Sequence, residues 1–381
     1  MQYDPTGRPT VSLIDLDALA FNYRSVRTFV GKGPQFLAVV KADGYGHGAV
    51  RCAQRLALEG VDRFGVALPE EGVELRNAGI DLPVLCLGGF WQGQGGLLAE
   101  YGLTPTICEK EKALAWNATA AAAGKRLKYH VKIDTGMGRL GIRYDHAREF
   151  ALFLKSLEHI EIEGLMTHFA SADDPDQNSF TREQIARFGI CVDIFRECGL
   201  RPAILDMANS PGAIAHKESL AGMIRVGGLL YGLGGDVLPT GIERPALRPV
   251  MSLVSKIVYL KEIPAGDSLG YGRTYFTKRN SLIAAVPIGY SDGLPRNISN
   301  IGNVIVNDRL CPIVGRISMD WTLIDVTDTA AKPGDIVTLF GRANGVSVLA
   351  EDVARQAGTI SYEITCGISP RVPRKYLEGP Q

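Results

Sequence analysis

The sequence predicts an α/β protein in two parts, an N-terminal (β/α)8 barrel of the TIM type and a mostly β C-terminal domain. Three observations carry that prediction. Short β-rich runs alternate with helix-like stretches from residue 36 to about residue 230. Most of those stretches end in glycine, as helix C-termini often do. Near residue 240 the texture changes to β-like runs divided by short turns.

The first run is "FLAVV" (36–40). After it come "RFGVAL", "PVLCLG", "TPTIC", "YHVKI", "IEGLMTH", "AILDM" and "MIRVGG". Between them lie stretches rich in Ala, Leu, Glu and Arg, such as "AVRCAQRLALEG", "KALAWNATAAAAG", "HAREFALFLKSLEH" and "REQIARFGICVDIFRECG". Strands that alternate with helices indicate a parallel sheet, because parallel neighbours need crossover connections. Eight such units are the number that closes a barrel, with an open doubly wound sheet as the rival architecture.

Next comes "PTGIERPALRP", a turn-rich linker. Beyond it "VSKIVYL", "SLIAAVPIG", "NVIVN", "WTLIDV" and "DIVTLFG" read as strands, with turns at "PAGD", "VNDR" and "KPGD". Only "VLAEDVARQAG" reads as a clear helix in this part. The expected division is residues 10–240 for the barrel and 241–381 for the β domain, the latter joined by residues 1–9.

Composition narrows the function classes. Basic and acidic residues balance at 41 each, so no charge excess favours nucleic acid or an anionic membrane. No window approaches the roughly 20 apolar residues of a membrane helix. Seven scattered cysteines without CxxC spacing argue against a disulfide framework. "MQYDPTGRPT" lacks the regions of a signal peptide. The expectation is a cytoplasmic protein.

Barrel enzymes place their chemistry at the C-terminal ends of the strands. The first strand here ends in Lys41. The fifth carries Lys132 and leads to Arg139, and the sixth ends in His168. The seventh runs into Asn209 and Ser210, and the eighth holds Arg225 before Gly227 and Gly228. Singly, each has an ordinary reading: a snorkelling lysine, a surface pair, a satisfied core histidine, a strand–helix ion pair. Together, at one end of one barrel, they point to a site. Barrels often bind phosphate with the loops after strands seven and eight. "NSPGAI" offers a hydroxyl and a proline suited to start a helix, and "RVGG" offers backbone N–H groups a phosphate can approach.

Other chemistries lack their motifs. "GYGHG" is not GxGxxG, and no P-loop, HExxH or GxSxG is present. Six dispersed histidines give no zinc spacing, so no metal is expected. A strand-end lysine with a phosphate cup suggests an enzyme using pyridoxal 5′-phosphate, in which a lysine amine forms an imine with the aldehyde.

The blocks "AVVKADGYGHG", "KIDTGMGRLGIR", "LMTHFASAD", "MANSPGA", "MIRVGGLLYG", "GYGRTY", "VPIGYSDGLPR", "PIVGRISMD" and "SYEITCGISPRVPR" stand in that order between residues 38 and 374, within a resemblance that runs from about residue 10 to residue 376. Together they resemble the alanine racemase family, fold-type III pyridoxal phosphate enzymes that work as head-to-tail homodimers with shared active sites. The resemblance implies that Lys41 is the Schiff-base lysine and one catalytic base. It implies that Tyr271, supplied by the partner subunit, is the opposing base. Tyr45, Ser210, Gly227 and Tyr362 resemble the phosphate-binding set, with Gly228 at the position usually held by another backbone donor. Arg225 resembles the arginine facing the pyridine nitrogen, with His168 bonded to it and packed near the ring, and Asn209 beside His168. Arg139 resembles the residue on the pyridine hydroxyl oxygen, and Lys132 sits where the family often has a carbamylated lysine. Arg139, Met319 and Asp320 match positions near the substrate carboxylate, the last two from the partner chain. Tyr290 and Tyr362 resemble inner-entrance residues, and Asp173, Arg296, Arg316 and Ile360 the layer outside them. Asp43 and Gly44 stand where many members have Asn-Ala or Asp-Ala.

The implied activity is interconversion of L- and D-alanine by two bases, supplying D-alanine for cell-wall peptidoglycan. A lysine base must be neutral, and a tyrosine base needs cationic neighbours to acidify it, for which His168 and the arginines are candidates. The rivals are a serine or broad-specificity racemase, and a decarboxylase, whose branch places an acid where this chain has Arg225. A non-enzymatic pyridoxal phosphate carrier would be a barrel alone.

Overall fold

The structure, a computed structural model, describes residues 7–379. The strand β1 (Val11–Asp15) comes first and is taken up with the second domain. The barrel strands follow: β2 (Gln35–Val39), β3 (Arg63–Val66), β4 (Val84–Cys86), β5 (Leu103–Ile107) and β6 (Leu127–Asp134). After a two-residue strand β7 (Ile142–Arg143) come β8 (Ile160–Met166), β9 (Ile204–Asp206) and β10 (Met223–Val226). All eight runs read from the sequence are parallel strands. Their order is β5-β4-β3-β2-β10-β9-β8-β6, and β5 also pairs with β6. That last pairing, Thr106 beside His130, closes the sheet and rules out the open alternative.

These strands are buried on both faces because side chains fill the interior and helices cover the outside. Phe36, Leu37, Ala38, Phe64, Val66, Val84 and Ile224 are all fully buried. The helices match the apolar stretches: Ala49–Glu59, Lys110–Ala122, Ala147–Lys155 and Asn178–Glu197. At the N-terminal end of the barrel, Glu163 is held bidentately by Arg63 at 2.7 and 3.2 Å and also bonds His130 and Lys128. The charged residues at this end satisfy one another.

The second domain begins with β11 (Met251–Lys256) and β12 (Tyr259–Ile263), two strands where "VSKIVYL" reads as one run. The chain shifts between sheets at Ile257–Val258. A small hairpin of β13 (Ser268–Leu269) and β14 (Tyr275–Phe276) carries Tyr271 at its tip. Then come β15 (Ser281–Val286), β16 (Asn303–Val306), β17 (Arg309–Pro312), β18 (Thr322–Asp325), β19 (Ile336–Ala343), β20 (Val346–Val348) and β21 (Arg374–Leu377). The main sheet has the order β17-β16-β19-β11-β1-β21.

The first strand therefore departs from the expected grouping. Val11–Asp15 lies within residues 10–240, yet it pairs with β11 and β21 of the second sheet. "VSLID" has a partly exposed face, unlike the continuous burial of the barrel strands, and so fits a sheet with one open side. Within the stretch 1–9, residues 1–6 lie outside the described residues. Arg8 anchors to Asp292 at 2.6 Å and to the carbonyl of Pro287 at 3.0 Å.

Candidate functional site

The C-terminal end of the barrel opens into a cavity of about 320 Å³. Strand β2 delivers Lys41 to its wall, and the chain then turns in an unusual way. Ala42, Asp43, Gly44 and Tyr45 all have φ between 52° and 61°. Left-handed conformation costs an L-residue roughly 1–2 kcal/mol, and three of the four carry a Cβ. Only Gly44 adopts it freely. The turn is held by Gly44 N–H to Val40 O (2.9 Å), Ala49 N–H to Asp43 Oδ1 (2.8 Å) and the buried Tyr231 hydroxyl to Val39 O (3.1 Å). Its consequence is that Tyr45, four residues after Lys41, comes back to line the same cavity.

The opposite wall is a cup. Helix Ser210–Ala215 starts with Pro211 in its first turn and is capped by Asn209, whose Oδ1 accepts from Gly212 N–H at 3.0 Å. Ser210 Oγ accepts from Gly227 N–H at 3.0 Å, which joins the two loops. A Cβ at Gly227 would lie 2.2 Å from the Tyr45 hydroxyl oxygen, and one at Gly228 2.4 Å from that of Tyr362. A side chain at either position would push a tyrosine ring aside, because two tyrosine hydroxyls converge on this backbone. Three hydroxyls and the N–H groups of a glycine turn form a donor set suited to a phosphate dianion. These residues fit the phosphate end of pyridoxal phosphate.

Arg225 on β10 is 3% exposed and anchored on all sides. It pairs with Asp206 of β9, donates to Thr167 O at 2.8 Å and to Met207 O at 3.3 Å, and reaches His168 Nδ1 at 3.1 Å. Lys132 on β6 is 6% exposed, and Arg139 follows on the next loop. The cavity thus gathers four basic side chains around one histidine. Burial, then Arg225, pushes the Lys132 amine down to about 8. Burial, then Arg139, lowers Lys41, with Glu71 acting the other way. Burial and Arg225 hold His168 well below the ordinary histidine value. His168 is therefore neutral and is not the cationic neighbour expected for a tyrosine base. Only the arginines remain for that role.

The eleven residues Lys41, Tyr45, Lys132, Arg139, His168, Asn209, Ser210, Arg225, Gly227, Gly228 and Tyr362 all line the cavity. Tyr271, Met319, Asp320, Tyr290, Arg296, Arg316, Asp173 and Ile360 do not. Several of these form a separate group on the second domain. Tyr290 N–H bonds Ser318 O at 3.0 Å and Ser291 N–H bonds Met319 O at 3.1 Å. Arg316 lies against Gly272 of the Tyr271 hairpin, and Asp320 pairs with Arg371 at 2.6 Å. Tyr271 is 71% exposed, Met319 52% and Ile360 53%. Asp173, near enough to Tyr362 for its charge to raise that phenol, and Arg296 are also exposed.

Sequence reading missed Asp206 and Glu71. Asp206 is an acid inside the apolar run "AILDM", and that alone marked it as needing a buried partner. Glu71 carries only the local signal of a carboxylate in the first turn of a helix. The apolar lining of Val39, Leu87, Leu140 and Met166 carried no signal beyond its burial pattern.

The chain matches the family models for the alanine racemase N-terminal domain over residues 14–234 and the alanine racemase C-terminal domain over residues 250–376. It is 45% identical to the alanine racemase of Halothermothrix orenii over 372 residues, covering 97% of both chains. It is 42% identical to that of Geobacter sulfurreducens over 377 residues, covering 97% of this chain and 98% of that protein. Among solved structures, the alanine racemase of Clostridium difficile 630 superposes with a TM-score of 0.88 at 37% identity, covering 97% of this chain and 96% of that one. The alanine racemase of Streptomyces lavendulae gives 0.91 at 34%, covering 98% of both.

Proposed function

The chain belongs to the alanine racemase family of isomerases, and from that premise we propose that it interconverts L- and D-alanine with pyridoxal phosphate held at Lys41. The observation that carries this reading is one cavity lined by a lysine of lowered basicity, a cup of hydroxyls and glycine N–H groups, and a buried arginine. When bound, the cofactor supplies an aldehyde carbon for the amine and a ring that draws electron density from Cα. Tyr45, Ser210, Tyr362 and the Gly227–Gly228 backbone would hold its phosphate. Arg225 would face its ring nitrogen, and Arg139 its hydroxyl oxygen.

Racemisation moves one proton off Cα on one face and puts one back on the other, so two bases must flank a planar centre. The Lys41 amine serves one face, and its lowered pKa raises the fraction present as free base. The partner subunit's Tyr271 serves the other. Exposure of Tyr271 outside the cavity of its own chain supports action on a second copy, in a homodimer with shared sites. Met319 and Asp320 would approach the substrate carboxylate by the same route. Product D-alanine would supply cell-wall peptidoglycan.

The test is racemisation of L-alanine by the purified protein, beside Lys41→Ala and Tyr271→Phe. Both variants should lose activity. Mixed and re-equilibrated, they should recover about a quarter of it, because half the dimers are then mixed and each carries one intact pair. No recovery would refute sharing between subunits. Higher kcat/KM for serine than for alanine would replace the substrate assignment.

A further inference from the structure

The turn behind Lys41 is held by a residue from outside its own segment. Glu71 lies in the first turn of helix Pro69–Asn77, which follows β3. Its Oε2 accepts from Leu68 N–H at 3.1 Å, the ordinary reach of a helix-capping carboxylate, and from Ala67 N–H at 2.7 Å. Its Oε1 does something a cap does not need. It accepts from Ala42 N–H at 2.7 Å, across 29 positions of sequence, at the first left-handed residue after Lys41. Most other hydrogen bonds of residues 40–49 come from the segment itself; Val40 N–H reaches Gly65 O at 2.9 Å ahead of the turn, and Gly46 O accepts from Arg374 Nε at 3.2 Å beyond it. Glu71 supplies a carboxylate tie to that turn from the neighbouring βα unit.

We infer that Glu71 is a positioning residue for Lys41, clamping the left-handed turn and placing a fixed negative charge beside the amine. The inference rests on Lys41 being the reactive lysine of the proposed function. Backbone strain persists only where the surroundings over-determine it, and a carboxylate with three N–H donors is a firm anchor. The charge matters as well as the geometry. Arg139 and Arg225 face Lys41 from the loop after β6 and from β10, and both make its amine less basic. Lys132 and the neutral His168 lie in the same cavity. Glu71 opposes the arginines, together with Cys366 at the end of helix Ser361–Cys366. Removing the Glu71 charge leaves the cationic groups less opposed.

Glu71→Gln keeps the size but turns one acceptor into an NH₂ group that cannot bond the N–H it faces. The neighbouring Glu70, bonded to Gln94 at 2.6 Å, gives the control Glu70→Gln. The first readout uses protein stripped of cofactor. Labelling of Lys41 by trinitrobenzenesulfonate is followed against pH by peptide mass spectrometry. In Glu71→Gln the labelling midpoint should move to lower pH, while Glu70→Gln should match wild type. In the loaded enzyme, kcat should fall about 10- to 100-fold with a much smaller change in KM, since misplacing a reacting group by an ångström costs about that much. An unshifted midpoint and unchanged kcat, with only a lower Tm, would reduce Glu71 to a helix cap and overturn the inference. Absence of racemisation in wild type would fault the proposed function instead, and the labelling comparison would still stand.

Discussion

His168 Nδ1 and Arg225 Nη2 lie 3.1 Å apart, and only one direction of hydrogen bond is open to them. A guanidinium has no acceptor, so it donates and the histidine nitrogen accepts. The imidazole is thereby fixed as the neutral Nε2–H tautomer. One guanidinium joins β8, β9 and β10 at the mouth of the barrel, through Thr167, Met207, Asp206 and His168.

His168 should not titrate in the ordinary histidine range. Its ring signals in ¹⁵N-edited NMR should stay those of the neutral tautomer between about pH 6 and 8. For stability the sign is clear. The folded value lies below the unfolded one, so the unfolded chain binds the extra proton and stability falls as pH drops through the unfolded value. A His168 titration centred near 6.5 would contradict the hydrogen bond.

Arg225 offers only donors, so it withholds a proton from any base it faces. Arg225→Glu should therefore raise the fraction of turnovers that end in transamination, measured as pyruvate formed per racemisation. It also sets a second carboxylate against Asp206, which is fully buried. Breaking a buried pair costs about 3–5 kcal/mol, so the single variant should unfold at clearly lower urea. Arg225→Glu/Asp206→Asn should regain stability and keep the altered partition. An unchanged partition in the double variant would refute this role.

Lys132 combines near-complete burial with a pKa of about 8, so at slightly alkaline pH much of it is neutral amine, the form that reacts with CO₂. Arg139 and Arg225 lower its basicity and would favour the carbamate anion. A carbamate resonance should grow in ¹³C NMR when ¹³C-bicarbonate is added near pH 8, and Lys132→Met should lack it. Without CO₂ the amine is charged in both states below pH 8. Between about 8 and 10.5 the unfolded chain binds more protons, so stability should rise with pH there. Urea midpoints at the two ends of that window check the slope, which Lys132→Met should flatten.

Arg371 holds Asp320 at 2.6 Å and Asp292 at 3.5 Å. Arg371→Met should release Asp320 and leave the fold standing, because the exposed Arg371–Asp320 pair contributes only about 0.2–1 kcal/mol and the buried Asp292 keeps Arg8 at 2.6 Å and the Gly289 N–H at 3.0 Å. If Asp320 meets the substrate carboxylate of the partner's site, KM for alanine should rise roughly 3- to 10-fold while kcat changes little. An unaltered KM would separate Asp320 from substrate binding.

The sequence by itself determined the eight barrel strands, because each is a buried apolar run between turn signals, and that pattern is local. It also determined which side chains stand at the strand ends: Lys41, His168 and Arg225 follow or interrupt apolar runs where burial makes a charge conspicuous. Tertiary structure alone decided what those residues meet. Barrel closure rests on β5 beside β6, and β1 joins the second sheet through partners some 240 positions away (Val11 opposite Val254). Asp206 turned Arg225 into half of a buried pair, and burial, then the Arg225 charge, made His168 neutral rather than cationic. Glu71 carries a capping residue's local signal, yet its bond to Ala42 depends on how two βα units pack. Periodicity records which face of an element is buried. It holds no record of which distant group completes a hydrogen bond or shifts a proton, because those depend on distances set only when the chain has closed on itself.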